Sequence, residues 1–314
     1  MRSLRRILVF TFIEDFAGVL VTRGATFFAH DVLGFGNYLN LWLVLTFGAA
    51  MVAGAGLSHR AAARAGERRI LLGVLAGQMA VCLVLGLAAG PGLLFAGYAA
   101  VGICHGLKWP IVESYVSAGR SPRETARAVG LFSVVWASSI PLSVVVAGPI
   151  IHAWPAGLFL LPLCVHAASL WIARRLPAAP SHIAADHPDR PRPDHILRMV
   201  GLLAASRFLM FAACAGMYIL SALMPRIFES LGFPVKTATS MAAPLDIARV
   251  AAFVAMRRWA GWHDRTWPIA LLLIALPLGF FLIVPGWSLF AVLAGEVLFG
   301  AAFGLAYYSA LYYA

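Results

Sequence analysis

Nine ionisable side chains lie inside stretches that are otherwise apolar: Glu14, Asp15 and Arg23, then Lys108 and Glu113, then Arg207, Asp246 and Arg249, and lastly Glu296. Within a membrane such a residue costs about 2.5 kcal/mol or more at mid-depth, so each is a candidate for function. The chemistry open to them is limited. A buried carboxylate can load and release a proton, a buried cation can hold an anionic solute or neutralise an acid, and an opposed pair can clamp two helices together.

The spacing sorts them. At about 100° per residue, Thr11, Asp15, Gly18, Thr22 and Thr26 form one polar and small stripe along a first helix, with Asp15 its only charge. Glu14 lies about 100° to one side of the stripe and Arg23 about 80° to the other. Asp15 and Arg23 are about 12 Å apart along the axis, too far to pair within the helix. The partners of all three must therefore come from other helices. Asp246 and Arg249, spaced i, i+3, can bridge on their own helix. Lys108, between Gly106 and a Trp109-Pro110 kink, could hold a carboxylate-bearing solute or neutralise Asp15. Glu113 suits a pair with Arg60 or Arg127, while Arg207 and Glu296 suit a cavity. His105 could relay protons or pack as a neutral ring. Tyr307, Tyr308, Tyr312 and Tyr313 could stack on a solute or on neighbouring helices.

The elements that must position these groups are membrane helices. Of the 314 residues, 61% are hydrophobic and 12% charged, and the mean hydropathy is +0.86, which lies outside the soluble globular range. Crossing about 30 Å of hydrocarbon takes about 20 apolar residues. Ten such spans are expected, at about 7–30, 38–58, 70–90, 92–117, 127–151, 155–175, 198–222, 236–257, 267–285 and 287–314. The first carries central charge and lacks a small-residue cleavage site, unlike a signal peptide.

The net charge of +11 reports orientation. With a cytoplasmic N-terminus, 18 of the 24 cations fall at the inner side, Arg226 and Lys236 fall outside, and Arg23, Lys108, Arg207 and Arg249 lie within spans. That is the positive-inside asymmetry, and it leaves no role for nucleic acid. A multi-pass protein of the plasma (inner) membrane is expected, with the bilayer as its surroundings. Two lysines against 22 arginines suggest a GC-rich bacterial genome. Trp154, Trp287, Trp259, Trp262 and Trp267 fall where interfacial anchors belong. Cys82, Cys104, Cys164 and Cys214 show no ligand spacing and read as small packing residues; no metal or cofactor is implied.

An internal repeat is present. Leu33-Gly34-Phe35 recurs as Leu231-Gly232-Phe233, and Gly102, Gly106 and Leu107 in "GICHGLKW" recur as Gly300, Gly304 and Leu305 in "GAAFGLAY", both at an offset of 198. The arginine-rich loop 59–69 overlies 257–266 at the same offset. Between the halves, residues 176–197 read as a cytoplasmic linker, rich in Pro, charge and His, with His182, His187 and His195 not set at ligand spacing. The expected plan is an N-terminal six-helix bundle (1–175), the linker, and a C-terminal bundle (198–314) with four of six helices. The counterpart of 127–175 would fall past Ala314, as in a fragment or in a gene that has lost two helices.

Six plus six helices joined by such a loop resembles the major facilitator superfamily. "GLSHRAAARAGERRILL" (56–72) is similar to its loop motif G-x-L-A-D-R-x-G-R-R through Gly56, Arg60, Gly66, Arg68 and Arg69, with Ser58 and His59 standing where Ala-Asp would be. The fourth and fifth spans resemble its pattern, with Tyr98 in place of a fourth-helix arginine and Gly148-Pro149 left of an antiporter motif. The resemblance implies an all-α parallel repeat of six-helix bundles, a gating role for the loop motif, and secondary active transport by a monomer. The solute would be small and polar or ionisable, moved by alternating access around helices 1, 4, 7 and 10. Proton coupling would run through Asp15 and its neighbours. A drug-type efflux antiporter, a membrane-embedded enzyme or sensor, and a non-functional fragment are the alternatives.

Overall fold

The computed structural model describes residues 2–180, 193–259 and 261–313. Among them are eleven α-helices and no strand: α1 (Arg2–Asp31), α2 (Asn37–Ala65), α3 (Glu67–Ala88), α4 (Pro91–Ser117), α5 (Pro122–Ala153), α6 (Gly157–Ala173), α7 (Pro193–Ser230), α8 (Val235–Met241), α9 (Pro244–Arg258), α10 (Trp267–Ile283) and α11 (Leu289–Tyr313). Six segments are long and apolar enough to cross a membrane, α8 and α9 counting together as one of 24 residues. Helix α1, with 30 residues, and α4, with 27, offer the same reach and carry buried charge.

Local chemistry sets the boundaries. Pro91, Pro122 and Pro244 open helices, where the N–H that proline lacks is not needed. Ser121 and Glu124 close a reciprocal capping box at the start of α5. The span expected at 236–257 is one membrane segment but not one helix. In "MAAPLD" Pro244 has no N–H to return to the Ser240 carbonyl, so the hydrogen-bond ladder is interrupted and the segment divides into α8 and α9, although Ala242 and Ala243 keep right-handed helical dihedrals. Residues 181–192, with His182 and His187, lie outside the described residues, as does the side chain of His195.

The repeat expected from the offset of 198 is present down to backbone contacts. Gly34 and Gly232 both adopt positive φ, 70° and 83°, turning the chain after α1 and α7. Helix α2 packs along α4 and α9 along α11. A Cβ on Gly102 would come 2.5 Å from the Phe47 carbonyl oxygen and one on Gly106 2.1 Å from that of Met51. Across the repeat, a Cβ on Gly300 would come 1.9 Å from the Leu245 oxygen and one on Gly304 2.9 Å from the Arg249 oxygen. Adding 198 to 47 and 51 gives 245 and 249, so the same glycine sits on the same carbonyl in both halves.

The halves meet chiefly where α5 packs against α8 and α9 and α2 against α7, with smaller contacts of α1 with α7 and α8 and of α5 with α11. Helix α1 is covered by α5 and α6, and Phe10 is fully buried there. At the repeat-equivalent position Phe208 of α7 is 69% exposed.

Candidate functional site

Three groups of buried polar side chains occupy the middle of the molecule. The first lies within the first six helices. Glu14 of α1 receives Lys108 Nζ of α4 at 2.7 Å on one carboxylate oxygen, and His166 Nδ1 of α6 lies 2.9 Å from the other. Lys108 also reaches Gln78 Oε1 of α3 at 3.4 Å. Glu14, Lys108 and His166 are all buried. Helices α4 and α6 thus converge on the α1 carboxylate, with α3 joined through Lys108, in a sealed cluster of the kind that costs most when one member is removed.

The second group is built on Asp15. One oxygen accepts the Trp136 indole N–H at 2.8 Å, the other the Ser139 hydroxyl at 2.6 Å, both from α5. Neither donor is charged, so Asp15 is held by hydrogen bonds and not by an ion pair. Trp136 carries the group onward: its ring stacks on Tyr307 of α11 (centroids 5.0 Å apart, 24° between planes) and on Phe253 of α9 (6.3 Å, 27°).

The third group lies between the halves. Arg249 Nη2 is 2.9 Å from Asp246 Oδ1, and Arg23 Nη1 of α1 is 3.6 Å from Asp246 Oδ2. The contacts are electrostatic: neither Asp246 oxygen has a hydrogen bond among the described residues, nor do Arg23 Nε and Arg249 Nε and Nη2. Arg249 Nη1 approaches Met217 Sδ at 3.5 Å, and its guanidinium lies 5.3 Å from the Trp136 ring. Glu296 of α11 is fully buried within electrostatic range of Arg23 and Asp246, and both its oxygens lack a donor among the described residues. Asp246 and Arg249 follow directly on the break between α8 and α9, and a discontinuous membrane helix is where transporters commonly place binding groups.

Other expected site residues fall elsewhere. Arg207 is exposed on the face of α7 that carries Phe208 and Phe211, away from the three groups. Glu113 is exposed and forms no salt bridge among the described residues, so the pairing with Arg60 or Arg127 is not observed. His105 is buried against Gly18, where an added Cβ would meet its ring at 2.9 Å. Tyr98 donates its hydroxyl to the Thr22 carbonyl, tying α4 to α1. In the loop motif, Gly56, Arg60 and Arg69 are exposed. Gly66 makes the turn between α2 and α3 at φ 84°, and Arg68 Nη1 donates to the Leu176 carbonyl at 3.0 Å beyond α6. Trp262 is not an interfacial anchor: it is 1% exposed beneath Tyr308, Tyr312 and Tyr313, because the α9–α10 turn folds it inward. Of the tyrosine cluster, Tyr307 stacks on Trp136 and Tyr308 packs on Phe253 with ring centroids 5.9 Å apart.

Gln78, Trp136, Ser139 and His166 were not among the sequence candidates. All are uncharged polar groups in apolar runs, as in "VVWASSIP" and "CVHAASL". A search restricted to charge passes over them, although their presence at mid-span is the signal.

A repeated helical bundle with a membrane-crossing hydropathy and opposed charges buried between its halves is the architecture of a membrane carrier. Residues 11–314 match the sequence profile of the Major Facilitator Superfamily, and the chain belongs to that family. It is a transporter and not an enzyme. No curated protein sequence matches it. Among solved structures, it is similar to a mutant of the nucleoside transporter NupG (TM-score 0.72, 10% identity, covering 99% of this chain and 86% of that one). It is also similar to NupG itself (0.71, 11%, 98% and 81%). A bacterial homologue of the human lysosomal transporter Spinster, inward-facing and unoccupied, matches with a TM-score of 0.68, 17% identity and coverage of 98% and 73%. At these identities the likeness is one of fold.

Proposed function

We propose that the protein is a proton-coupled secondary active transporter of a small polar or ionisable solute, working by alternating access. Its moving bodies would be a six-helix unit (1–175) and a second unit (198–314), joined by a linker (176–197). The N-terminus would be cytoplasmic in a plasma (inner) membrane, and the unit of function a monomer. The solute would sit among Arg23, Asp246, Arg249 and Glu296, whose unmet hydrogen-bonding groups suit a ligand bearing both donors and acceptors.

One observation carries the coupling assignment: Asp15 is bonded by two neutral donors, Trp136 and Ser139, whereas Glu14 and Asp246 are tied to cations. Asp15 can therefore change protonation without breaking an ion pair, and its bonds end on α5, which packs against α8 and α9 of the other half. Gly148, of the Gly148-Pro149 pair that suggested efflux, packs against α8: its Cβ would come 2.2 Å from the Val235 carbonyl oxygen.

The test is proton movement in liposomes reporting lumenal pH, screened with amino acids, organic acids, sugars and nucleosides. Wild-type protein is expected to move protons with at least one class. Asp15→Asn should still bind that solute but move no protons. Unchanged proton movement in Asp15→Asn would remove the assignment.

A further inference from the structure

Among the described residues, Trp136 is the one side chain that bonds to Asp15 and also stacks on residues of α9 and α11. Its indole is fixed at two places. The N–H end is held by Asp15 Oδ1 at 2.8 Å, and the ring lies nearly parallel to Tyr307 and Phe253, which themselves touch with centroids 5.9 Å apart. An indole turned about its Cβ–Cγ bond cannot keep both the N–H bond and the parallel stack, so the two contacts hold one rotamer. Tyr307 and Phe253 lie toward the ends of α11 and α9, the face of the molecule on which α1 begins, because successive spans alternate direction.

We propose that Trp136 is the positioning residue through which Asp15 controls closure between the halves on that face. With Asp15 ionised, the indole N–H bond is charge-assisted and holds the ring in the stack with Tyr307 and Phe253. When a hydronium ion gives its proton to an Asp15 oxygen and leaves as water, the carboxyl becomes neutral. The N–H bond then loses its charge assistance, and the stack loses the constraint that holds its ring in register. No other group need change charge. The titratable groups within electrostatic range of Asp15 on the helices around it are Lys108 of α4, Arg249 of α9, Tyr218 of α7 and Tyr307 of α11, with His166 of α6 already committed to Glu14. Of these Arg249 also lies against the Trp136 ring, so release of the indole alters the packing of the solute-site arginine as well.

This inference rests on the Asp15 reading, and the experiment separates the two. Spin labels go on Cys introduced at the exposed Arg127 of α5 and Arg258 of α9, with Cys82, Cys104, Cys164 and Cys214 replaced by Ser. Interlabel distances are measured in nanodiscs between pH 5 and pH 9. Wild-type protein is expected to pass from a short to a long distance as pH falls, with the ratio of the two populations changing about tenfold or more. Asp15→Asn should give the long distance at every pH. Trp136→Phe, which keeps a ring to stack and removes the donor, should lose the pH response while melting close to wild type. Should that variant fail to fold, Tyr307→Leu, which spares the indole bond and removes the stack, must lose the response instead. A wild-type titration in Trp136→Phe alongside a flat Asp15→Asn overturns the role of Trp136 and leaves Asp15 standing. A wild-type titration in Asp15→Asn, or no response in the wild type, overturns both.

Discussion

At the scale of single residues, adjacent carboxylates have different environments because they point to different helices. Glu14 faces inward to Lys108 and His166, and Asp15, one residue and about 100° further round, faces Trp136 and Ser139 on α5. We propose a structural role for the Glu14 cluster, argued from its charged partner and its burial. Lys108→Met removes the lysine from a buried Glu14 carboxylate and should cost about 3–5 kcal/mol. The double change Glu14→Gln with Lys108→Met removes both charges and should recover most of that loss. Fluorescence-detected melting of the purified protein in detergent measures both; a double variant no more stable than Lys108→Met would count against an ion-pair origin.

At the scale of elements, glycine determines how close the helices come. Gly106 of α4 and Gly300 of α11 each lie on a carbonyl of the neighbouring helix, 2.1 Å and 1.9 Å from where a Cβ would be, and backbone cannot swing aside as a side chain can. Gly106→Ala and Gly300→Ala should each destabilise by about 1–3 kcal/mol through overpacking. Gly73 of α3 has open space around it. Gly73→Ala should therefore gain up to about 1 kcal/mol from helix propensity. The same melting assay ranks the three, and a Gly73→Ala loss as large as that of Gly106→Ala would refute the packing explanation. The break between α8 and α9 belongs at this scale too, since it sets Asp246 and Arg249 in the first turns of a new helix instead of the middle of an old one.

At the scale of the whole molecule, the halves meet on two faces. Toward the face where α1 ends, Gly148 of α5 lies on α8 and its N–H donates to Thr239 Oγ1 at 3.0 Å. Beside this contact a cavity of about 630 Å³ opens between the ends of α1 and α7, lined by His30, Asp31, Arg226, Glu229 and Ala238 among others. His30 Nε2 lies 3.3 Å from Glu229 Oε2 across it. A larger side chain at 148 cannot fit against the Val235 carbonyl, so Gly148→Leu should wedge the halves apart there. Alkylation of a cysteine at the buried, cavity-lining Ala238 should then quicken about tenfold, the population change that about 1.4 kcal/mol produces. An unchanged rate would show that the α5–α8 contact does not limit opening on this face.

The sequence by itself determined the membrane class, the ten spans, the repeat at an offset of 198 and the charged residues that warranted attention. These are written locally: hydropathy runs declare spans, and the Leu-Gly-Phe turn and paired glycines are short motifs constrained by backbone geometry at one place in the chain. Only the tertiary structure decided how the charges are shared. Helical spacing could place Glu14, Asp15 and Arg23 on three faces of α1, and it could pair Asp246 with Arg249, but it could not say that Lys108 meets Glu14 rather than Asp15. Nor could it bring Trp136, 121 residues along the chain, to the Asp15 carboxylate. Such partners depend on which helices neighbour one another and at what rotation, and that is set by the summed packing of many apolar side chains, a quantity with no local signature in sequence. Proline at 244 was visible, but whether it would kink or break its helix depended on what packs around it; Ala242 and Ala243 keep right-handed helical dihedrals through the interruption.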